Sequence, residues 1–277
     1  MRIENYYFEY SSNIKINYKV IGSGKNNLVF IHGFGASLFT WEDIAKYFNC
    51  EENTLFFLDL LGHGNSSFDI DSDFSIMTQA TVVSRFIKLL KISHPTIIGH
   101  SYGGSISLLV QQLYSEQVNI NKLILIDVGA YPENIPFFIK LLRNPLTEYF
   151  LRVFIPKYFR AKFTLKKLFY NKSLVDRTKI INYCKFYSNK QWNALRVAAI
   201  NIVPKDFNQF INQYSTINTP VLLIWGEKDP IFSLKIARKL NGQLQNSILE
   251  VIEQCGHIPN EEKPQETFEI INKFIKS

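Results

Sequence analysis

The sequence predicts an α/β protein whose mainly parallel sheet is covered by helices on both faces. Short apolar runs of the length of buried strands recur along the chain, and segments with helical spacing of apolar residues lie between several of them. Strands that alternate with helices favour parallel pairing, because each crossover helix packs on a face of the sheet. The 277 residues are 46% hydrophobic and 20% charged, which suits a globular protein with a sizeable core.

The individual strands and helices are short and are separated by glycine- and proline-containing segments. The strands are predicted at residues 14–21, 28–31, 54–58, 122–126, 221–225 and 248–252, with one more ending just before Gly99. The helices are predicted at residues 41–48, 78–90, 234–240 and 265–275, with one more beginning just after Ser101. Loops that follow parallel strands gather at one edge of the sheet, so residues far apart in the sequence can meet there.

A long helical segment interrupts the alternation of strands and helices. Between residues 131 and 214 the sequence shows no convincing strand, and helix start signals recur, such as the capping-box spacing of Ser188 and Gln191. We therefore expect residues 1–130 and 215–277 to form an α/β core, and residues 131–214 to form an inserted helical cap.

The stretch IIGHSYGG, residues 97–104, has the pattern of a nucleophile elbow. An apolar run ends in a G-x-S-x-G pentapeptide around Ser101, and a helical pattern begins directly after it. Such a turn lifts the serine hydroxyl above the sheet and strains its backbone. Side chains two residues before and after would collide there, so Gly99 and Gly103 are required. The N–H of Tyr102, at the helix N-terminus, is placed to stabilise an oxyanion.

The composition indicates a reducing compartment. The chain has three widely spaced cysteines, Cys50, Cys184 and Cys255, which favour free thiols over a disulfide framework or a zinc site. The start of the chain, MRIENYYFEY, lacks the apolar stretch of a secretory signal, and no apolar run approaches the length of a membrane span. We therefore expect a cytoplasmic protein.

The chain contains five short motifs in the order in which they occur in the α/β-hydrolase superfamily. It therefore resembles members of that superfamily, specifically the small capped serine hydrolases of the esterase and lipase kind. The motifs are HGFGAS from His32, DLLGHGNS from Asp59, GHSYGG from Gly99, WGEKD from Trp225 and GHIPNEEKP from Gly256. The likeness covers nearly all of the chain outside the helical segment. It implies an eight-stranded, mainly parallel sheet with a helical cap inserted after the sixth strand.

The resemblance also implies roles for the site residues. Ser101 is expected to be the nucleophile, Asp229 the acid and His257 the general base of a catalytic triad, in the order that this superfamily uses. The backbone N–H of Phe34 is expected to be the second oxyanion donor, beside that of Tyr102. A serine hydroxyl is a poor nucleophile until a base takes its proton, and a buried carboxylate fixes the imidazole tautomer.

Other residues compete for these roles. Asp127 also follows a predicted strand and is the rival of Asp229 for the position of triad acid. His32 and His63 are expected to shape loops without transferring protons, and His100 is expected to pack beside the elbow. An aspartate nucleophile, as in dehalogenating and epoxide-opening relatives, is excluded because the elbow holds a serine.

The cap is rich in aromatic residues, some of which must face the cleft and form an apolar acyl pocket. The candidate pocket residues are Phe34, Tyr102, Phe137 and Phe138. The primary expectation is hydrolysis of a carboxylic ester through an acyl-enzyme, with no metal or organic cofactor. Two alternatives stay open: hydrolysis of a carbon–carbon bond in a diketone-like metabolite, and a binding protein of this fold with little turnover.

Positive charge is concentrated in the predicted cap. The whole chain carries a net charge of +7, whereas residues 131–200 contain fourteen Lys and Arg and three acids, a balance of +11. A solvated helix surface accounts for this pattern as readily as a binding face does. The sharper hypotheses are binding to an acidic carrier protein or to an anionic membrane surface. Nucleic acid is less favoured, because the charge is not organised on a recognisable nucleic-acid module.

Overall fold

The sheet has eight strands in the order β1-β2-β4-β3-β5-β6-β7-β8. The structure is a computed structural model that describes residues 4–69, 71–185 and 188–277. The strands are β1 (Tyr6–Ser11), β2 (Ile14–Ile21), β3 (Asn26–Ile31), β4 (Asn53–Leu58), β5 (Thr96–His100), β6 (Lys122–Ile126), β7 (Val221–Gly226) and β8 (Ser247–Ile252). The predicted α/β fold with an eight-stranded sheet is confirmed.

Parallel pairing dominates the sheet, as predicted. Strand β2 is antiparallel to its neighbours β1 and β4, whereas β3–β4, β3–β5, β5–β6, β6–β7 and β7–β8 are parallel pairs. Every residue of β5 and β7 is buried. Helices cover both faces of these strands, which explains why they are continuous apolar runs in the sequence.

The sequence pattern does not predict the first strand. Strand β1 pairs with β2 from Tyr6, opposite Tyr18, to Ser11, opposite Ile14. Phe8 alone is buried in this strand. Because β1 is an edge strand with little packing on either face, its residues carry no clear alternation of apolar and polar side chains.

Twelve α-helices accompany the sheet in the described part of the chain. They are α1 (Glu42–Ala45), α2 (Ile76–Leu89), α3 (Tyr102–Val118), α4 (Phe137–Arg143), α5 (Pro145–Phe154), α6 (Lys157–Leu168), α7 (Arg177–Cys184), α8 (Asn189–Ile200), α9 (Phe207–Asn212), α10 (Leu234–Gln243), α11 (Pro259–Glu262) and α12 (Pro264–Lys276). The helix predicted at 41–48 is reduced to the four residues of α1, which continues from a 3₁₀ turn at Leu38–Trp41. None of the helices within the described residues is long and apolar enough to cross a membrane.

Two hydrophobic clusters lie on opposite faces of the sheet. On one face, α2, α3 and α10 bury side chains such as Phe86, Ile106 and Leu240 against alternate strand residues. On the other face, α1 and α12 bury Ile44 and Phe274. Successive strand residues point to opposite faces, so each strand contributes to both clusters.

The described residues between β6 and β7 form α-helices and short 3₁₀ turns without a strand. We call residues 131–214 the cap segment, and its boundaries as a separate unit stay a prediction. Helices α6 and α7 share a cluster with Ile258 of the loop after β8, and α8 sends Ala198 into the largest cluster of the molecule. The capping box predicted for Ser188 and Gln191 is present at the start of α8.

Candidate active site

Ser101 lies on a tight turn between β5 and α3. Its backbone has φ 51° and ψ −113°, a conformation that residues with side chains rarely adopt. A Cβ atom at Gly103 would lie 2.2 Å from the carbonyl oxygen of Ile31, and one at Gly99 would lie 2.5 Å from that of Gly103. Only glycine therefore fits the two positions, as predicted, and the turn presents the Ser101 hydroxyl at the carboxyl edge of the sheet.

Three side chains from different strand ends form a chain of hydrogen bonds. The hydroxyl oxygen of Ser101 lies 3.0 Å from Nε2 of His257, and Nδ1 of the same ring lies 2.9 Å from Oδ2 of Asp229. Asp229 follows β7 and His257 follows β8, and both side chains are almost fully shielded from water. This geometry places a base within reach of the serine proton, with a carboxylate behind that base.

Both polar backbone groups of His257, the N–H and the carbonyl oxygen, form hydrogen bonds. Its N–H donates to the carbonyl oxygen of Leu168 at 2.8 Å, and its carbonyl oxygen accepts a hydrogen bond of 2.7 Å from Nε2 of His100. Burial, together with the nearby His257 ring, lowers the pKa of His100 to about 3. The neutral His100 ring packs beside the elbow, as predicted, and donates through Nε2 because a carbonyl oxygen can only accept.

A second acid, Asp127, lies beside the carboxylate of Asp229. One oxygen of Asp127 accepts the N–H of Gly226 at 3.1 Å, and the other is buried next to Asp229. Burial, the charge of Asp229 and a hydrogen bond to it raise the pKa of Asp127 well above its usual range. Burial also opposes ionisation of Asp229, but His257 and hydrogen bonds from His257, Asp127 and the Ile231 N–H lower its pKa overall. Asp127 is therefore the protonated acid of the pair, and Asp229 is the charged one.

The same cluster has the composition of a small metal site. Ligating atoms of Asp127, Asp229 and His257 all lie within 4.8 Å of one another. The hydrogen bonds described above already account for all three side chains, and a protonated carboxyl group is a poor metal ligand. We therefore assign the cluster to the Ser101 site. The absence of a metal or organic cofactor from the reaction stays a prediction.

Two residues with the predicted oxyanion N–H groups border the space in front of Ser101. Tyr102 is the first residue of α3, so its N–H has no acceptor within the helix. Phe34 lies in the loop after β3, and its ring centre is 5.7 Å from that of Tyr102, edge to face. Both residues line the cavity at Ser101. The two candidate donors thus lie at the start of α3 and in the loop after β3, beside the serine.

The cavity at Ser101 has a mostly apolar wall. The candidate pocket residues Phe34, Tyr102 and Phe138 line it, together with apolar residues of the cap segment and the core loops. The prediction that Phe137 also lines the pocket is wrong, because its side chain is 69% exposed and lies outside the wall. Successive helix residues point about 100° apart, so α4 turns Phe138 into the cavity and Phe137 towards solvent.

Glu261 brings a carboxyl group to the cavity wall. It accepts a hydrogen bond of 2.6 Å from Nζ of Lys179 and one of 2.5 Å from the hydroxyl of Tyr183, both on α7. Burial raises the pKa of Glu261 in spite of these two partners. Sequence reasoning missed this residue, because acids at a helix start are common on surfaces. Its place in the motif GHIPNEEKP was the available signal.

Glu262 ties the cap segment to the loop of His257. Its Oε2 accepts the N–H of Gly256 at 2.8 Å and that of Tyr170 at 3.1 Å, and its Oε1 accepts the N–H of Asn171 at 2.5 Å. One carboxylate thus holds the residue next to His257 and the chain that follows α6. Sequence reasoning missed this residue as well, because its partners are backbone groups distant in the chain.

The histidines of two other motifs lie outside the hydrogen bonds of the Ser101 site. Nε2 of His32 accepts the N–H of Leu60 at 3.1 Å, and Nδ1 of His63 donates to the carbonyl oxygen of Leu61 at 3.1 Å. Burial lowers the pKa of His32 to about 4 and that of His63 to about 3. Both rings are neutral and brace loops, in line with the expectation that they transfer no protons.

The fold and the hydrogen-bonded serine together define the class of this protein, which is a hydrolase. The model of a family with the α/β-hydrolase fold matches residues 26–264, which is most of the chain. The chain belongs to the family with the α/β-hydrolase fold, as the sequence motifs predict.

Known relatives are similar over most of the chain. An uncharacterized hydrolase of Bacillus subtilis strain 168, YugF, is 27% identical over 98% of this chain and 94% of its own. A 2-hydroxy-6-oxononadienedioate/2-hydroxy-6-oxononatrienedioate hydrolase of Paraburkholderia phymatum is 24% identical over 90% of this chain and 86% of its own. The structure of an esterase from Exiguobacterium antarcticum shares the fold, with a TM-score of 0.83 and 21% identity over 99% of this chain and 100% of that one.

Proposed function

We propose that this protein is a serine hydrolase that cleaves a carboxylic ester with an apolar acyl group through an acyl-enzyme. The observation that carries the proposal is the series of hydrogen bonds at the elbow. His257 lies 3.0 Å from the Ser101 hydroxyl through Nε2 and 2.9 Å from Asp229 through Nδ1. A serine so placed has both a base to accept its proton and a carboxylate to stabilise the resulting imidazolium.

The first half of the proposed reaction acylates Ser101. Its hydroxyl oxygen bonds to the ester carbonyl carbon while Nε2 of His257 takes the hydroxyl proton. The N–H groups of Phe34 and Tyr102 stabilise the oxyanion that forms. When the tetrahedral intermediate collapses, the bond between the carbonyl carbon and the alcohol oxygen breaks, and His257 gives its proton to the leaving alcohol.

The second half frees the serine. A water molecule attacks the acyl carbon while Nε2 of His257 takes one of its protons. The bond between that carbon and the Ser101 oxygen then breaks, and His257 returns the proton to the serine. Asp229 stays charged throughout, because its pKa is held low and its role is to fix the tautomer of the ring.

The cavity wall favours a neutral ester over the substrates named for the carbon–carbon hydrolase relative. A dienedioate or trienedioate, as in the name of the Paraburkholderia protein, carries two carboxylates. Among the described residues that line the cavity none is Lys or Arg, and Glu261 adds a carboxyl group. Such a substrate would find no cationic partner here. An ester with an apolar acyl chain matches the same wall.

The cysteines support a reducing compartment for this activity. Cys50, Cys184 and Cys255 are all free. Burial raises the pKa of Cys184 and of Cys255, so these thiols stay protonated. Free thiols persist where glutathione and thioredoxin keep them reduced, and we therefore propose that the enzyme works in the cytoplasm.

Hydrolysis of p-nitrophenyl esters of graded acyl length tests the proposal. The wild type is expected to show a burst of p-nitrophenol and to prefer the longer acyl chains. Ser101→Ala is expected to lose the burst and to lower kcat by about 10⁴-fold or more. Ser115→Ala, about four turns further along α3, is the matched control and should behave as the wild type does.

Three results would contradict the ester hydrolase. Turnover that survives in Ser101→Ala would remove the serine from the reaction. Hydrolysis of vinylogous diketones without hydrolysis of esters would identify a carbon–carbon hydrolase. Ligand binding without turnover, unchanged by Ser101→Ala, would identify a binding protein of this fold.

A further inference from the structure

Helix α5 exposes most of its apolar side chains to solvent, whereas an ordinary surface helix buries them. Five apolar side chains lie along one side, at the spacing of three and four residues that places them on a common face. Each is at least half exposed to solvent: Leu146 80%, Tyr149 55%, Phe150 54%, Val153 50% and Phe154 63%. We call these residues the α5 stripe.

The side of α5 that faces the protein carries the buried Glu148 and the half-buried Leu151. Glu148 is only 7% exposed and accepts hydrogen bonds from Nε1 of Trp192 at 2.6 Å and from Nε of Arg152 at 3.0 Å. The side chain of Asn144 caps the helix by accepting two N–H groups of its first turn. These bonds fix the rotation of α5, because turning the stripe inward would break the buried bonds of Glu148.

Helix α6 extends the apolar surface. It is separated from α5 by two residues, and Phe159 and Phe163, one turn apart, are 58% and 68% exposed. Nη1 of Arg160 donates to the carbonyl oxygen of Leu151 on α5 at 2.7 Å, which joins the two helices. The α5 stripe with Phe159 and Phe163 forms the α5–α6 surface. Seven exposed apolar side chains on two joined helices favour an interaction site.

Exposed cationic side chains lie on or next to the same two helices. Arg143 precedes α5, Lys157 begins α6, and Lys166 and Lys167 lie in its last turn. All four are exposed, and none has an acidic partner among the described residues. An apolar helix face flanked by Lys and Arg is the composition of helices that lie in the headgroup layer of anionic membranes.

We propose that the α5–α6 surface docks this protein on an anionic lipid membrane. The apolar side chains enter the boundary between headgroups and acyl chains, and the cations meet the lipid phosphates. A second copy of the chain is a poor occupant, because a symmetric contact brings together two regions that each carry +11. Charge attraction to an acidic carrier protein would account for the cations but not for exposed apolar side chains such as Phe150 and Phe154.

Helix α4 connects the docking surface with the cavity. Pro136, Phe138 and Ile139 line the cavity at the start of α4, and the same helix leads into α5 at Asn144. Provided that the proposed ester hydrolysis holds, this connection places the substrate pocket beside the lipid. The substrate class is then an ester that partitions into membranes.

Sedimentation with vesicles tests the docking surface without requiring turnover. The full chain carrying Ser101→Ala is mixed with phosphatidylcholine vesicles that contain roughly 30% phosphatidylglycerol, and with vesicles of phosphatidylcholine alone. The partition coefficient is expected to be about tenfold higher for the anionic vesicles. It is expected to fall when the salt concentration rises from about 0.1 M to about 0.5 M. Equal binding to both vesicles, or binding to neither, would overturn the proposal.

Two pairs of substitutions separate the contributions of the surface. Phe150→Ser with Phe154→Ser shortens the α5 stripe, and Lys166→Gln with Lys167→Gln removes two cations. Each pair is expected to lower the partition coefficient on anionic vesicles about tenfold. All four side chains are exposed, so circular dichroism should show a folded protein in every case. Unchanged binding by both pairs would overturn the proposal.

A matched control uses exposed residues of the α/β core. Ile248 on β8 is 53% exposed, and Lys235 on α10 is also exposed. The double variant Ile248→Ser with Lys235→Gln is expected to bind vesicles as its parent does. A loss equal to that of the α5–α6 variants would show that binding is not local to this surface, and would overturn the proposal.

The failure of docking and the failure of hydrolysis are distinguishable. Vesicle binding is measured on the Ser101→Ala chain, whereas ester turnover is measured on the wild type with soluble p-nitrophenyl esters. Binding to an acidic acyl carrier protein but not to vesicles would overturn the membrane assignment. The membrane assignment would also be overturned if the protein did not bind vesicles and light scattering showed a dimer. In that case Phe150→Ser with Phe154→Ser would dissociate the dimer.

Discussion

At the scale of residues, the neighbouring carboxyl groups of Asp127 and Asp229 differ in charge: Asp127 is neutral, and Asp229, which is hydrogen-bonded to His257, is negative. Asp127 and Asp229 are both buried, and two adjacent carboxylates would repel each other strongly in such a site. The proton stays on Asp127, whose pKa is raised by burial and by Asp229, while Asp229 is stabilised by its hydrogen bonds. This difference decides which acid can stabilise a charged His257.

Asparagine substitutions test the assignment of the two acids. Asp229→Asn is expected to lower kcat about 10³- to 10⁴-fold, because an amide favours the wrong tautomer of His257. Asp127→Asn is expected to lower kcat by less than about tenfold, because its amide still donates to Asp229 and still accepts the N–H of Gly226. Steady-state hydrolysis of p-nitrophenyl butyrate measures both. Similar losses in the two variants would argue against the assignment.

Buried neutral histidines make stability depend on pH. Burial holds the pKa of His63 at about 3, below the value of about 6.5 for an exposed histidine. Between these values the unfolded chain binds a proton that the folded chain does not, so stability falls as the pH falls. In His63→Gln, the slope of unfolding free energy against pH should be smaller by about 1.4 kcal/mol per pH unit between about pH 5.5 and 4.5.

Urea unfolding of His63→Gln and wild type at several pH values measures this slope. The difference between the two proteins removes the contributions of the other buried acids and histidines, which both share. Parallel curves over the whole pH range would show that His63 is not neutral in the folded protein.

At the scale of elements, the strand–turn–helix unit around Ser101 depends on close contact between the backbone of Gly103, in α3, and that of Ile31, at the end of β3. Gly103→Ala is expected to lower the unfolding free energy by about 3 kcal/mol or more, because its Cβ would lie 2.2 Å from the carbonyl oxygen of Ile31. Gly242→Ala in α10 is the control, because a Cβ there meets nothing within 4 Å. It should raise stability by up to about 1 kcal/mol. Urea denaturation measures both, and equal effects would refute the steric argument.

The short helix α11 joins the cap segment to the His257 loop through Glu262. Glu262→Gln replaces one acceptor oxygen with an N–H₂ group that faces backbone donors. We expect a loss of about 2 kcal/mol in unfolding free energy and a fall of about tenfold in kcat, because His257 loses its fixed position. Glu253→Gln, on the exposed turn after β8, is the control. A stability loss with unchanged kcat would leave Glu262 a purely structural role.

At the scale of the whole molecule, helix α8 of the cap segment shares a hydrophobic cluster with the sheet. Ala194 and Ala198 of α8 belong to the same cluster as the buried residues of β5 and β6. Removing the segment would therefore expose part of the sheet. A shared core of this kind favours a single cooperative transition.

Tryptophan fluorescence and far-ultraviolet circular dichroism should report the same unfolding midpoint in urea. Trp192 lies in the cap segment, whereas Trp41 and Trp225 lie in the clusters on the two faces of the sheet. Because α8, which carries Trp192, also packs Ala194 and Ala198 into the cluster that contains Trp225, we expect all three tryptophans to lose their environments together. An early fluorescence transition that disappears in Trp192→Phe would show that the cap segment unfolds on its own.

Much of the fold and of the site could be predicted from local patterns. Glycines two residues on either side of Ser101 predict the strained turn, because no larger side chain fits there. Apolar runs predict the buried strands, whereas the edge strand β1 escapes prediction because it buries only Phe8. The rotation of a helix is not a local property either: Phe137 and Phe138 are identical residues, and packing alone turns one outward and the other into the cavity.

By itself, the amino-acid sequence determined the α/β class, the elbow at Ser101 and the residues that are candidates for its acid and base. These features follow from periodicity, glycine sterics and motif order, which depend on near neighbours in the chain. The tertiary structure alone decided which acid is charged, how Glu261 and Glu262 tie the cap segment to the His257 loop, and that α5 presents its apolar side to solvent. Those properties depend on burial and on contacts between distant segments, which only the folded chain brings together.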